Sequence, residues 1–339
     1  MKILIVGAGL TGSTVARELA EAGHEIDIID KRDHVAGNAY DYMDDTGIRI
    51  HKYGPHLFHT NNKRVWDYLS RFTNFVYYRH KAKAQLADGS YVPFPVNETT
   101  IEKVGKENIL DIFFRPYTKK MWGKELEELD PNIIKRVPVK DNRDESYFPN
   151  DTYQGLPDQG YTAMVQKMLF HPNIRIHLNT EFYEFAPKLG YYDYCFNCMP
   201  IDEFFDFKHG ELPYRSLKFH QKVIPMNKVL PSVTVNFTHD GPYTRVTEWK
   251  NMPNHGQNPH CSVLTFEEPC DYKDNDMERY YPVKDVNGDN RKIYEKYKAE
   301  ASPKMQFIGR CGQYVYIDMH QAVNSGLQIA DKFKKENAV

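Results

Sequence analysis

Residues 1–12, Met1-Lys2-Ile3-Leu4-Ile5-Val6-Gly7-Ala8-Gly9-Leu10-Thr11-Gly12, and residues 25–32, Glu25-Ile26-Asp27-Ile28-Ile29-Asp30-Lys31-Arg32, decide the fold. A short apolar run enters three glycines spaced G-x-G-x-x-G, helical periodicity follows to about Ala22, and a second apolar run ends in an acid. Strands buried on both faces read as continuous apolar runs, so this is the opening of a parallel βαβ unit. Gly7 permits the tight turn, Gly9 lets the backbone approach a pyrophosphate, and Gly12 lets helix and strand pack closely. The anion then sits at the helix N-terminus, where unpaired N–H groups and the helix dipole favour negative charge. Asp30 is placed to accept from a ribose 2′-OH and disfavours the 2′-phosphate of NADP, which leaves FAD or NAD. A second glycine-containing turn, Ala36-Gly37-Asn38-Ala39-Tyr40, follows soon after and favours FAD.

The 339 residues suggest about two domains with a core that stands without staples. A mean hydropathy of -0.66 accompanies the absence of any apolar run near the roughly 20 residues of a membrane helix. Lys+Arg 44 against Asp+Glu 46 gives a net charge of -2, without the basic excess that drives nucleic-acid binding. The N-terminal run leads into glycines with no cleavable signal region, which predicts a cytoplasmic protein. Five cysteines are too few for a disulfide framework; Cys195 and Cys198 have metal-like spacing but no second pair, and read as strand residues. No metal is expected. The 24 tyrosines suit a ligand that needs both stacking and neutral hydrogen bonds.

Amphipathic spacing of Val65, Tyr68, Leu69 and Phe72 predicts a helix, and alternation from Phe75 to Phe94 about Asp88-Gly89 predicts a hairpin. Glu107 to Lys120 reads as helical, and Leu129 to Lys140 as an exposed connection punctuated by proline. Tyr161 to Leu169 reads as helix, Ile174 to Leu178 as strand, and Ser232 to Phe237 and Cys261 to Phe266 as strands without intervening helices. Gln306 to Gly309 and Met319 to Lys334 read as a final strand and helix that return to the first domain.

Beyond these elements, the ordered segments Gly37-Asn38-Ala39-Tyr40, His51 to Thr60, Tyr117 to Gly123, Lys135-Arg136-Val137-Pro138-Val139, Asp151 to Pro157, Tyr214 to Phe219, Pro242 to Arg245, Tyr280 to Val283, Gly309-Arg310 and Tyr316 to Gln321 carry a family resemblance. The chain resembles the bacterial UDP-galactopyranose mutases. The resemblance implies an α/β fold: a discontinuous Rossmann-like FAD-binding domain (1–76, 161–208 and 298–339), a reduced helical subdomain (98–130) and an inserted antiparallel-sheet substrate domain (77–97, 131–160 and 209–297). It implies an isomerase that interconverts pyranose and furanose forms of a nucleotide sugar, UDP-galactose first among them. In that family the FAD is reduced, with NADPH or NADH as external reductant, and its N5 carries the sugar as a covalent adduct while the diphosphate departs and returns.

By the same resemblance Arg136 and Arg245 clamp the diphosphate, a task suited to a planar cation that never loses its proton, and Arg215 supports them. His59 stands on the flavin side with catalytic residues, and His56 with the cofactor contacts. Phe113, Phe114, Tyr117, Thr118 and Trp122 are expected around the base and sugar, and Tyr147, Tyr281 and Tyr316 around the diphosphate and sugar. The cofactor contacts are Gly7, Gly9, Thr11, Gly12, Asp30, Lys31, Arg32, Gly37, Asn38, His56, Arg310, Tyr316, Asp318 and Met319. Metal binding by His56 and His59 competes, but their three-residue spacing lacks a nearby acid or Cys.

The chain departs from the family between Pro95 and Tyr117, where relatives carry more helices and much of a dimer contact. A homodimer therefore does not carry over directly. The first glycine of the family's Gly-Gly-Asn is Ala36, and Pro55, Ile308 and Asn197-Cys198 replace other family residues near the flavin. Three readings stay open: this chemistry on a UDP- or another nucleotide sugar such as a dTDP-6-deoxy sugar or UDP-arabinopyranose, an amine-oxidase-like FAD oxidoreductase, and a non-catalytic binding protein.

Overall fold

The computed structural model describes residues 1–128, 139–285 and 287–337. The opening strands Lys2–Val6 and Glu25–Ile29 pair in parallel, from Lys2 opposite Glu25 to Val6 opposite Ile29, across the helix Leu10–Glu21. They lie at the centre of a five-stranded parallel sheet in the order 174–177, 25–29, 2–6, 194–197, 305–307. Successive side chains of a strand point to opposite faces, and here both faces are covered. Ile3, Ile5, Ile26 and Ile28 join a core with Val15 and Leu19 of the first helix and Val323 and Leu327 of the last, Met319–Glu336. Leu4, Val6, Ile29 and Cys195 bury against Phe182 and Phe185 on the other face. The two helices touch closely: a Cβ on Gly326 would stand 2.8 Å from the Thr14 Cβ.

A seven-stranded sheet runs in the order 281–282, 214–224, 262–271, 245–248, 234–237, 82–85, 91–94. The sequence predicts an antiparallel sheet here, and one pair departs from it. Thr234–Phe237 and Ala82–Gln85 are parallel because the hairpin 82–94 arrives from far upstream and docks on the sheet's open edge. Its turn has the expected form: the Leu86 N–H donates to the Ser90 carbonyl, with Gly89 at φ +82°. Phe75–Tyr77 is not part of that hairpin. It pairs with Tyr153–Pro157, which also pairs with Phe58–Thr60, so residues 153–157 lie beside 58–60 and 75–77 rather than in the large sheet.

The stretch from Glu107 is not one helix. It passes from a 3-10 turn (Lys106–Asn108) through a π turn (Leu110–Phe114) into an α-helix, Arg115–Trp122. Pro116 lacks an N–H and is tolerated only in the first helical turn, so the α-helix begins there. The segment 129–138, which holds most of the expected exposed connection and Arg136, lies outside the described residues. No described helix is long and apolar enough to cross a membrane. All five cysteines are free.

Candidate active site

Two joined cavities run from the glycine turn of the parallel sheet to the large sheet, and Asn38, His56, Arg310, Asp318 and Met319 line both. The first is lined by Gly7, Gly9, Thr11, Gly12, Asp30, Lys31, Arg32 and Gly37 as well. Gly7 sits at φ +102°, and a Cβ on Gly12 would stand 2.0 Å from the Gly7 carbonyl oxygen, so the turn tolerates no side chain there. The second glycine turn closes onto the first: a Cβ on Gly37 (φ +54°) would stand 3.0 Å from the Gly9 Cα. Ala36 is held at φ +74°, a region that costs an L-residue about 1–2 kcal/mol.

Asp30 closes its strand by accepting the N–H of Ala8 at 2.8 Å and of Arg32 at 3.0 Å, one on each carboxylate oxygen. Each oxygen keeps a further lone pair, and Asp30 lines the first cavity, where a ribose could donate to it. Arg32 donates to the Asn38 Oδ1 at 2.9 Å, pairs with Glu278 at 2.5 Å, and lies 4.3 Å over the Tyr53 ring. Arg310 donates to the carbonyls of Tyr280 and Ile317, both at 3.0 Å, and lies 5.3 Å over the Tyr316 ring. These contacts fix Arg32 in the first cavity and Arg310 where the two cavities meet. Tyr316, expected on both flavin and substrate, lines only the second.

The second cavity, about 540 Å³, is lined by Phe113, Phe114, Tyr117, Trp122, Tyr147, Tyr281, Tyr316 and Arg245. Arg245 donates to Glu267 at 3.0 Å. Burial opposes its charge, but the neighbouring Glu267 carboxylate overrides that and keeps the guanidinium protonated. Burial raises the Glu267 carboxyl, with Arg245 pulling the other way, and its Oε1 is buried without a partner among the described residues. Burial also pushes the Tyr117 hydroxyl up to about 12, and those of Tyr147 and Tyr281 upward, so all three remain neutral donors at pH 7. His56 is pushed down to about 4 by burial. Its Nδ1 lies 2.8 Å from the Gly54 carbonyl, an acceptor, so the neutral ring carries its proton there.

Arg215 and Thr118 do not belong to the cavity walls. The Arg215 Nε donates to the Met121 carbonyl at 2.7 Å and its guanidinium reaches Lys120 at 3.4 Å, capping the last turn of the helix Arg115–Trp122. Carbonyls at a helix C-terminus carry partial negative charge, which is why a cation docks there. The Lys120 Nζ ties the same turn to the carbonyls of Phe237, His239 and Tyr243. Thr118 is 3% exposed and faces the protein interior.

His59 lines the second cavity with its Nδ1 2.5 Å from Asp151, and its ring lies flat on Phe148. The spacing of His56 and His59 shows no acid neighbour, but the fold brings Asp151 and Asp318 to His59 from distant segments. Among the described residues, one ligand atom each from His59, Asp318 and His320 lie within 4.8 Å of one another. Sequence reading also passed over Glu267, His80, Phe148 and His320 as cavity residues. Glu267 left a signal: it shares a strand face with Val263 and Thr265, all buried, and an acid at an inward strand position needs a partner.

A family model described as UDP-galactopyranose mutase matches residues 112–316, and one described as an NAD(P)-binding Rossmann-like domain matches residues 5–72. The chain is 34% identical to a probable UDP-galactopyranose mutase of Klebsiella pneumoniae over 98% of this chain and 94% of that protein. It is 35% identical to a dTDP-fucopyranose mutase of Escherichia coli over 99% of each. A solved structure of reduced UDP-galactopyranose mutase superimposes with a TM-score of 0.75 at 16% identity, covering 100% of this chain and 94% of that one. A redesigned putrescine oxidase shares the fold less closely, with a TM-score of 0.58 at 11% identity over 98% of this chain and 99% of that one. A match across most of the cavity-forming residues, with relatives above 30% identity along nearly the whole length, leaves one assignment: the chain belongs to the UDP-galactopyranose mutase family.

Proposed function

We propose that the protein is a flavin-dependent isomerase that interconverts the pyranose and furanose forms of a nucleotide sugar, with UDP-galactose the leading substrate. The observation that carries this reading is Arg245, held charged by Glu267 inside a cavity of tyrosines that opens onto the glycine groove. FAD fits the first cavity on the chain's own chemistry. Gly9 offers bare backbone at the start of a helix, with Gly37 alone among the described residues within 4 Å of a Cβ built there, and Asp30 offers ribose acceptors. Gly7, Thr11, Gly12, Lys31, Arg32, Gly37 and Asn38 would line the adenosine diphosphate part. His56, Arg310, Asp318 and Met319 would line the part nearer the isoalloxazine. When bound and reduced, with NADPH or NADH as the electron source, the flavin supplies the nucleophile for the anomeric carbon.

The side chains then have separable tasks. Arg245, with Arg136 as its expected counterpart, holds the diphosphate after it leaves so that it can return. One such electrostatic contact to developing charge is worth about 10²–10³ in rate. Tyr147, Tyr281 and Tyr316 donate neutral hydrogen bonds to phosphate and sugar oxygens without adding charge to a site that must release its ligand. Tyr117 and Trp122, with Phe113 and Phe114 behind them, offer aromatic faces to the base, while Arg215 and Lys120 hold their helix in place. The division into a flavin domain, a reduced helical subdomain and a substrate domain, cytoplasmic residence and a homodimer belong to this reading. The two sheets support the division, since the parallel one borders the first cavity and the large one the second.

A dTDP-sugar is the second reading, because a relative named for dTDP-fucopyranose is as similar as one named for UDP-galactopyranose. Incubating the holoprotein with UDP-galactose, UDP-arabinopyranose and dTDP-fucose, with and without dithionite, and separating ring forms by chromatography tests both. Exchange that requires reduction is the expected result, and the preferred nucleotide identifies the substrate. Oxygen-coupled consumption would favour an oxidase, and inertness toward every sugar would favour a binding protein.

A further inference from the structure

We propose that Asp151 is a positioning residue for His59: it fixes the imidazole as the Nδ1–H tautomer and leaves the Nε2 lone pair as a hydrogen-bond acceptor in the sugar cavity. The inference rests on the functional reading above only for its consequence, not for the tautomer.

The geometry points to it from several sides. The His59 Nδ1 lies 2.5 Å from the Asp151 Oδ2, and an ionised carboxylate can only accept, so the proton is on Nδ1. The other carboxylate oxygen accepts from the Asn61 Nδ2 at 2.8 Å. Asn61 cannot flip without loss, because its Oδ1 accepts both the N–H and the hydroxyl of Thr152, at 2.8 and 2.9 Å, while Nδ2 also donates to the Asn150 carbonyl at 2.9 Å. The ring itself is clamped: Phe148 stacks on it at 3.5 Å between centroids and 9° between planes. The loop that carries Phe148 and Asp151 is tied in turn by the buried Gln154, whose amide donates to both of their carbonyls at 2.9 and 2.7 Å. Gln154 stands opposite His59 in the strand pair, so backbone register places the loop beneath the ring. His320 meets the His59 ring edge-on, 5.4 Å away, and its Nδ1 is a buried atom without a partner among the described residues.

This network makes Asp151→Asn more informative than a simple deletion. Asn61 still donates to the oxygen it faces, so the new amide directs its oxygen toward Asn61 and its NH₂ toward His59. The Nδ1 must then accept, the proton moves to Nε2, and the cavity gains a donor where it had an acceptor. Adding Asn61→Ser removes the donor that orients the amide, lets it turn over, and restores the original tautomer.

Long-range ¹H–¹⁵N spectra of the ¹⁵N-histidine-labelled holoprotein, with His59 assigned by the signals missing in His59→Gln, read the tautomer without any substrate. The expected wild-type pattern is protonated Nδ1 and bare Nε2; Asp151→Asn inverts it and the double variant restores it. In ring-form exchange, kcat of Asp151→Asn should fall about 10- to 100-fold, the worth of one hydrogen bond to a buried group, with KM within about threefold. The double variant should recover most of that loss. A wild-type ring protonated at Nε2 overturns the proposal before any variant is made. So does an inverted tautomer with unchanged kcat, or a fall in kcat that the double variant does not recover. A wild-type protein with the expected tautomer but no exchange of any nucleotide sugar would instead count against the functional reading.

Discussion

Replacing Arg245 with alanine separates the electrostatics of the cavity from its chemistry. In the wild type the Glu267 Oε2 accepts from the guanidinium at 3.0 Å, Oε1 has no partner among the described residues, and the residue is 1% exposed. Removing the cation leaves a buried carboxylate uncompensated, and breaking such a pair costs about 3–5 kcal/mol. Burial already raises this carboxyl, so in Arg245→Ala it takes up a proton more readily. A folded pKa raised above the unfolded one gives stability that is present at low pH and lost as pH rises through the folded value. The variant should therefore lose less stability at pH 5 than at pH 8. Adding Glu267→Gln removes the charge and should recover about 2 kcal/mol or more, because a neutral amide costs less to bury than an unpaired carboxylate. Turnover should stay about 10²–10³ below wild type in both variants, since neither holds the diphosphate. Denaturant unfolding of the flavin-loaded protein at the two pH values, alongside ring-form chromatography, reads both effects. Equal stability of all three proteins, or turnover regained in the double variant, would contradict the pairing of Arg245 with Glu267 and its role toward the diphosphate.

The two glycines of the turn should fail differently. Gly12→Ala places a Cβ 2.0 Å from a carbonyl oxygen and should abolish folding of the first domain, whereas Gly9→Ala meets only the Gly37 Cα at 3.8 Å and should fold normally but lose bound flavin, as circular dichroism and visible absorbance would show. Arg215→Ala should raise KM for the nucleotide sugar about tenfold by loosening the helix that carries Tyr117 and Trp122, with a smaller effect on kcat, because the Arg215 hydrogen bonds end on that helix and not in the cavity. Burial holds His80 near 3 and His255 near 4, below the ordinary value of about 6.5 for an unfolded histidine. Both are neutral in either state above pH 6.5; below it only the unfolded chain gains the protons, so stability falls toward pH 4. The loss at pH 5 is about 2 kcal/mol for each ring, measurable as a shift in the denaturant midpoint between pH 7 and pH 5.

The parallel sheet was legible because its strands are buried on both faces: Ile3 and Ile5 point one way, Leu4 and Val6 the other, and the run has no polar interruption. The glycine turn and Asp30 were legible because their spacing is local. What escaped reading depends on long-range pairing. Nothing near Phe75 announces that it joins Tyr153–Pro157 rather than the hairpin ahead of it, and a parallel edge pair leaves no periodic mark. Arg215 was expected on the substrate, yet the carbonyls it caps, those of Met121 and Lys120, lie 94 and 95 residues upstream in sequence. The acid beside His59 was missed for the same reason, since Asp151 is brought to it by the pairing of 58–60 with 153–157. Residues that point inward from short strands or loops carry no pattern of their own until the sheet that surrounds them is known.

In the proposed reaction a diphosphate leaves the sugar and is held for its return. The direct measurement uses a nucleotide sugar with ¹⁸O in the bridge between anomeric carbon and phosphorus, incubated with the reduced holoprotein and followed by ³¹P NMR. The predicted result is movement of the label from the bridge to the non-bridging positions of that phosphate at a rate no slower than ring-form exchange. Furanose product that accumulates with the label still in the bridge would contradict it.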